Sequence, residues 1–286
     1  MAFQIADNLQ EEVASLLQKA FAEDSAFDDL TTKACIAEED LATAHILLKE
    51  DACLAGLCFI PMVFQAFDPR LETALFFEEG ILSSKNTILA KITGPAQSIL
   101  SAERVALNLV QHLSGIATLT HACVQKVQGT KCEVLDTRKT ILGWRALQKY
   151  AVKTGGGVNH RPHLGGGILI KNNHLALTAK KGGEPIAYAI AAVRKRYPER
   201  EIEVEISSYE QLPLALDAGA ERILLDNMSP PLVEKCCLYN KGQAYLEASG
   251  RITLDTIRAY AEAGVDGVSL GALTHSARAI DLSLRM

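Results

Sequence analysis

From Lys131 onward the sequence alternates short apolar runs with helical patterns, and this alternation limits the possible folds more than any other feature. CEVLDT, ILIK, EIEVEIS, RILLDN, AYLEASG and GVSLG read as strands. GWRALQKYAVKT, EPIAYAIAAVRKRY, YEQLPLALDAG, SPPLVEKCCLYN and TLDTIRAYAEAG read as helices between them. Repeated βα units imply a parallel sheet, and six or seven of them in about 150 residues favour a compact α/β barrel over an open sheet. DAGAERILLDN and EAGVDGVSLG each close a helix at glycine and enter a strand, which is βα periodicity and not an internal sequence repeat.

The first part of the chain has a different rhythm. Residues 7–22, DNLQEEVASLLQKAFA, place Leu9, Val13, Leu16, Leu17, Ala20 and Phe21 at helical spacing, with Asp7 as an N-cap. FDDLTT reads as a loop. ATAHILLKED, LETALFFEEG and SKNTILAKITG read as strands, with FIPMVFQAF a short helix between two of them. Closely spaced strands with few helices predict a small α+β domain with an antiparallel sheet. Pro95 suits a helix N1 position and opens a long helical stretch, SILSAERVALNLVQHLSGIATLTHACVQKV. Ser114-Gly115 is expected to break that helix, which makes it the bridge between domains.

Composition excludes several classes. Apolar residues are 48% and charged residues 22%, as in an ordinary globular protein, and no run of 18 apolar residues predicts a membrane span. MAFQIADNLQEEV is acidic and amphipathic, unlike a signal peptide. Seven cysteines without a CxxC pair argue against a disulfide framework or zinc site and for a reducing compartment, so a cytoplasmic location is expected. A net charge of −5 argues against general nucleic-acid binding. Small anions are the expected partners.

Against that acidic background, Asp136 to His174 carries seven cations and one acid, a net of +6. Two triple-glycine runs, 155–157 and 165–167, flank NHRPHL, and glycine lets backbone approach a ligand closely. Barrel chemistry lives at the C-terminal ends of the strands. Those ends read Asp136-Thr137-Arg138-Lys139, Lys171-Asn172-Asn173-His174, Glu203/Glu205, Asp226-Asn227, Glu247-Ala248-Ser249-Gly250 and Ser269-Leu270-Gly271. Arg138, Lys139, His160, Arg161 and Lys171 would form a cationic wall, since Arg forks grip carboxylate or phosphate bidentately. Glu205 and Asp226 offer carboxylates for Mg²⁺ or sugar hydroxyls, and Glu203 shares the face of Glu205. Gly250 and Gly271 end the last two strands, where barrels build phosphate sites. Taken singly, each carboxylate reads better as a cap or ion pair, and Arg104 beside Glu103 reads as a surface ion pair. Together they describe a site for a phosphosugar and an anionic partner.

ERVALN with LSGIATLT, LDTRKT, GGGVNHRPHL, ILIKNNH, EVEISS, LLDN, EASG and SLGALTHSA, taken in order, closely resemble the quinolinate phosphoribosyltransferase family, the carboxylating nicotinate-nucleotide pyrophosphorylases. The likeness runs over nearly the whole chain, including DLTT and the EEG and LAKITGPA segments. It implies an N-terminal α+β sandwich domain over residues 1–113 and an incomplete parallel α/β barrel over 114–274. It also implies a C-terminal helix, 275–286, that packs back on the first domain. A homodimer is implied, with Arg104 supplied across the interface as a substrate ligand. Arg138, His160, Arg161 and Lys171 match the quinolinate-binding cations, and Lys139 would reach both substrate and pyrophosphate. Glu205 and Asp226 match the residues on the ribose and Mg²⁺ side of phosphoribosyl pyrophosphate, holding the metal directly or through water or substrate. Ser249, Gly250 and Gly271 fall where the 5′-phosphate is cradled. Lys139, Lys171, Glu205 and Asp226 are the residues expected to act in catalysis.

Asp28 and Asn86 stand where family members commonly carry glycine, and Arg251 where a small residue is frequent. The reaction implied is transfer of phosphoribose to the quinolinate nitrogen with decarboxylation, giving nicotinate mononucleotide, CO₂ and pyrophosphate in NAD biosynthesis. Two rivals keep the barrel: a nicotinate or nicotinamide phosphoribosyltransferase, and an aldolase-like enzyme using Lys171 as a Schiff-base amine. An inert anion-binding homologue would carry damaged rim residues, and none of the matching positions is damaged.

Overall fold

The computed structural model describes residues 7–286. In chain order the elements are α1 (Asp7–Glu23), α2 (Leu30–Cys35), β1 (Leu41–Leu48), β2 (Ala52–Cys53), α3 (Ile60–Phe67), β3 (Glu72–Leu75), β4 (Leu82–Ser83), β5 (Ile88–Pro95) and α4 (Ala96–Val127). They continue with β6 (Glu133–Leu135), α5 (Arg145–Thr154), β7 (Ile168–Ile170), α6 (Asn172–Thr178), α7 (Pro185–Arg196), β8 (Ile202–Ile206) and α8 (Gln211–Asp217). Last come β9 (Arg222–Asp226), α9 (Pro230–Asn240), β10 (Tyr245–Ser249), α10 (Ile257–Glu262), β11 (Gly267–Ser269), α11 (Ala272–His275) and β12 (Leu282–Arg285). The chain forms two compact units: residues up to 121 with 143–156 and 276–286, and residues 122–142 with 157–275. The N-terminal residues 1–6 of the segment compared with a signal peptide, and the side chain of the expected Asp7 cap, lie outside the described residues. Among the described residues no helix is long and apolar enough to cross a membrane.

The first unit is built on a four-stranded antiparallel sheet in the order β12-β1-β5-β3. Of the stripe expected on α1, Leu9, Val13, Leu17 and Phe21 are buried, each such side chain contributing about 1.5–3 kcal/mol, while Leu16 and Ala20 are half-buried at its margin. FDDLTT is not a loop throughout. Asp29 accepts from Thr32 N at 2.9 Å and so caps α2, whose six residues are too few for periodicity to reveal. The long helix α4 is not broken at Ser114-Gly115. Ser114 Oγ turns away from its own helix, donating to Ala55 O and accepting from Ala55 N, both at 3.0 Å. A Cβ on Gly115 would overlap the carbonyl of Arg278. The glycine therefore permits close passage of two backbone segments and leaves the helix intact.

The expected C-terminal helix over 275–286 is also corrected. Only Ala272–His275 is helical, and Leu282–Arg285 is a strand paired antiparallel with β1, Leu48 opposite Leu282 and His45 opposite Arg285. The alternation in DLSLRM has strand period, and β12 covers backbone groups that would otherwise leave β1 as a bare edge. Helix α5, read from sequence among the barrel helices, groups with the first unit, where Gln148 Nε2 meets His112 Nε2 at 2.9 Å.

The second unit holds one six-stranded parallel sheet in the order β6-β11-β10-β9-β8-β7. All six expected strand runs are present, and β6 and β7 end the order without pairing to each other, so the α/β barrel is incomplete. Helix α6 was not legible: it starts directly after Lys171, where His174 Nδ1 accepts from Lys171 N at 2.8 Å.

Candidate active site

Parallel strands bring their C-terminal ends to one side of a sheet. Here those ends surround a cavity of about 250 Å³, lined entirely by residues of the second unit.

Its cationic side is Arg138 and Lys139 after β6, Arg161 from the segment before β7 and Lys171 after β7, with the His160 ring beside Arg161. The segment carrying Arg161 has no regular secondary structure over most of its length, and Arg161 Nη1 donates to Gly167 O at 3.0 Å. Arg138 Nε is buried without a hydrogen-bond partner. Burial, and then the neighbouring Arg138 charge, lowers the pKa of Arg161. Lys139 is fixed through its backbone, its N–H donating to Thr137 Oγ1 at 3.0 Å and its carbonyl accepting from Thr274 Oγ1 at 2.7 Å.

The acidic side is Glu205 on β8 and Asp226 on β9. Glu205 Oε2 is 3.4 Å from Lys171 Nζ, and its Oε1 accepts from Asn172 N at 3.2 Å. Asp226 Oδ1 accepts from Asn227 Nδ2 at 2.9 Å. Carboxylate lone pairs remain on both groups, and hard oxygen donors of this kind suit Mg²⁺, which keeps most of its shell as water or phosphate.

Ser249 lines the third side, its Oγ accepting from Ser269 Oγ at 2.9 Å. Gly250 has φ +100°, and a Cβ there would overlap the Asn227 side chain. Gly250 and Gly271 follow the lining residues at the ends of β10 and β11 without lining the cavity themselves. Arg104 belongs to α4 of the first unit, where its side chain is 57% exposed and 3.8 Å from Glu103.

Behind the rim lies a layer of buried charge, for which the sequence offered Glu203 on the face of Glu205 and Glu247 at a strand end but gave neither a role. His160 Nε2 is 3.0 Å from Glu203 Oε2 and 3.4 Å from Glu247 Oε2, with both carboxylates buried. Arg222 approaches the same pair, Nη2 standing 3.6 Å from Glu247 Oε2, and its guanidinium lies over the Tyr245 ring at 3.8 Å. Burial raises the Glu203 carboxyl, helped by the charge on Glu247. Burial disfavours an imidazolium at His160 while the two carboxylates pull its pKa up to about 9. The Arg161 N–H, 2.8 Å from His160 Nδ1, needs a lone pair there, and we read the ring as neutral with Nε2–H facing Glu203. One oxygen or nitrogen from each of His160, Glu203 and Glu247 lies within 4.8 Å of the others, a spacing that could hold a metal. Arg222 already supplies positive charge to that cluster. Asp136, fully buried, accepts from His160 N at 2.9 Å. The signal for Glu203 and Glu247 was present in the strand period: they stand two residues before Glu205 and Ser249 and share their faces.

With this geometry in place, the likeness to known proteins becomes specific. Residues 116–285 match the family described as quinolinate phosphoribosyl transferase, C-terminal domain, and residues 29–114 match its N-terminal domain. A probable carboxylating nicotinate-nucleotide pyrophosphorylase of Bacillus subtilis is 38% identical over 279 residues, covering 96% of this chain and 93% of that protein. The Mycobacterium leprae protein of that name is 39% identical, covering 94% and 95%. The solved nicotinate-nucleotide pyrophosphorylase of Francisella tularensis superposes with a TM-score of 0.90 at 35% identity, covering 100% of this chain and 98% of that one.

Proposed function

The chain belongs to the quinolinate phosphoribosyltransferase family, and from that premise we propose that the strand-end cavity is where its reaction takes place. Phosphoribose passes from phosphoribosyl pyrophosphate to the ring nitrogen of quinolinate, with loss of CO₂ and pyrophosphate, to give nicotinate mononucleotide for NAD biosynthesis. The observation that carries this site is the Arg138–Arg161 pair: two like charges face one cavity, and Arg138 Nε is unpartnered. A bound dianion relieves that repulsion.

Two anionic substrates must meet here, and each unit-charge pair at 4 Å repels by about 4 kcal/mol at an effective dielectric of 20. Arg138, Arg161, Lys139 and Lys171 offset that repulsion and, with the His160 ring beside them, orient the ring nitrogen toward the sugar. Lys139 and Lys171 stabilise charge on the departing pyrophosphate. Glu205 and Asp226 face the ribose and would hold Mg²⁺, which adds Lewis-acid stabilisation of phosphate oxygens. Ser249, with the backbone of Gly250 and Gly271, receives the 5′-phosphate. Forming the nitrogen–C1′ bond breaks the C1′–pyrophosphate bond and leaves a positive ring nitrogen. The ring carbon–carboxylate bond then releases CO₂, and its electron pair stays on the ring carbon until a proton arrives. Arg104 completes the pocket from a second copy in a homodimer, and the enzyme works in the cytoplasm.

The Schiff-base reading is disfavoured because Lys171 is half-exposed and paired with Glu205, not desolvated. The test is turnover of quinolinate with phosphoribosyl pyrophosphate and Mg²⁺. CO₂ and nicotinate mononucleotide in equal amounts are expected. Product from nicotinate and none from quinolinate would refute the reading.

A further inference from the structure

We infer that two buried carboxylates, Glu203 behind the cavity and Glu247 in its wall, are positioning residues for the quinolinate pocket: they hold the His160 ring and, through it, the backbone of Arg161. This inference rests on the reading of the cavity given above.

Arg161 sits on a segment bounded by two triple-glycine runs and largely without regular secondary structure, tied down only at points such as the Val158 bridge to Leu135 and its own Nη1 on Gly167 O. His160, its neighbour, is gripped at three points. Its N–H donates to Asp136 Oδ1 at 2.9 Å, its Nδ1 accepts from Arg161 N at 2.8 Å, and its Nε2 faces Glu203 at 3.0 Å and Glu247 at 3.4 Å. The two carboxylates come from β8 and β10, which flank β9 in the rigid sheet. His160 thus ties the least regular part of the rim to its most regular part.

The alternative is that the two carboxylates serve the fold by neutralising Arg222. Arg222 does supply positive charge there, at 3.9 Å from Glu203 and 3.6 Å from Glu247, but it hydrogen-bonds neither; His160 Nε2 is nearer to both, at 3.0 Å from Glu203 and 3.4 Å from Glu247. Glu203 Oε1 and both oxygens of Glu247 are buried without a hydrogen-bond partner. A buried charge cluster this poorly satisfied is a weak source of stability, and apolar residues of similar volume often do as well or better. Its position under the substrate cavity gives it a reason that folding does not.

The experiment uses Glu203→Met and Glu247→Met in the whole 286-residue chain, singly and together, with steady-state kinetics in both substrates. The KM for quinolinate is expected to rise about tenfold while that for phosphoribosyl pyrophosphate stays within about twofold, and thermal stability is held or raised. In a His160→Asn background the same substitutions should add little, because their effect runs through His160. An unchanged quinolinate KM, an equal rise in both KM values, or a full additional loss in the His160→Asn background overturns the inference. Should a Met variant fail to fold, Glu203→Asp, which keeps the charge but shortens the reach, reads the same KM. Wild-type enzyme that turns over quinolinate beside unaffected variants sinks this inference alone, whereas inactive wild type sinks the proposed function itself.

Discussion

Lys171 Nζ stands 3.4 Å from Glu205 Oε2, so the cationic and acidic sides of the cavity already touch. The pair is half-exposed on the lysine side, and an ion pair of that kind contributes about 0–1 kcal/mol to stability. Lys171→Ala should leave the thermal midpoint nearly unchanged yet lower kcat/KM about 100-fold or more, since charge on departing pyrophosphate loses a preorganised partner. Calorimetry beside steady-state kinetics checks both halves. A large drop in melting temperature with little kinetic change would assign Lys171 to the fold.

Gly250 takes φ +100° with the Asn227 side chain where a Cβ would stand. Gly250→Ala must strain the turn or push Asn227 and its neighbour Asp226 aside, at about 1–3 kcal/mol. The KM for phosphoribosyl pyrophosphate should rise about tenfold or more while quinolinate binding, measured by titration calorimetry, persists. Equal damage to both substrates would place Gly250 outside the phosphate side.

The barrel half was legible because every strand from β6 to β11 is a short apolar run between helices, and the rim residues follow those runs directly. Eight of the eleven expected site residues line the cavity. What was not legible depends on contacts far apart in sequence or on single caps. Gly115 reads as a helix breaker until Arg278 is seen against it. Residues 282–285 are a strand because β1 offers them an edge. Helix α2 hangs on one Asp29 cap. Glu203 and Glu247 were within reach of the period-two argument, but only the position of His160 shows what they hold.

In the first unit, hydrogen bonds from Arg70, and then from Ser98, outweigh burial and hold the Asp68 carboxyl well below its ordinary 3.8. Because the folded pKa lies below the unfolded one, this stabilisation is complete above about pH 4 to 5 and drains away as the pH falls through 3.8 toward the folded value. Asp68→Asn should lower stability at pH 7 by about 2 kcal/mol and flatten the loss of stability on acidification. Denaturant titrations at pH 7 and pH 3 read this; parallel curves for the two proteins would contradict it.

Arg104 projects from the first unit while the cavity residues belong to the second. If a second copy supplies it, Arg104→Ala and Lys171→Ala proteins should each be nearly inactive alone. Mixed after dissociation and reassembly, they should recover about a quarter of wild-type activity by random pairing into C2 dimers. No recovery would argue against a shared site.

A crystal structure with quinolinate bound tests most directly whether a dianion is held between Arg138 and Arg161. The prediction is both carboxylates within hydrogen-bond distance of the cationic side of the cavity, with the ring nitrogen turned toward Glu205 and Asp226. Quinolinate found elsewhere, in an enzyme that still turns it over, would contradict it.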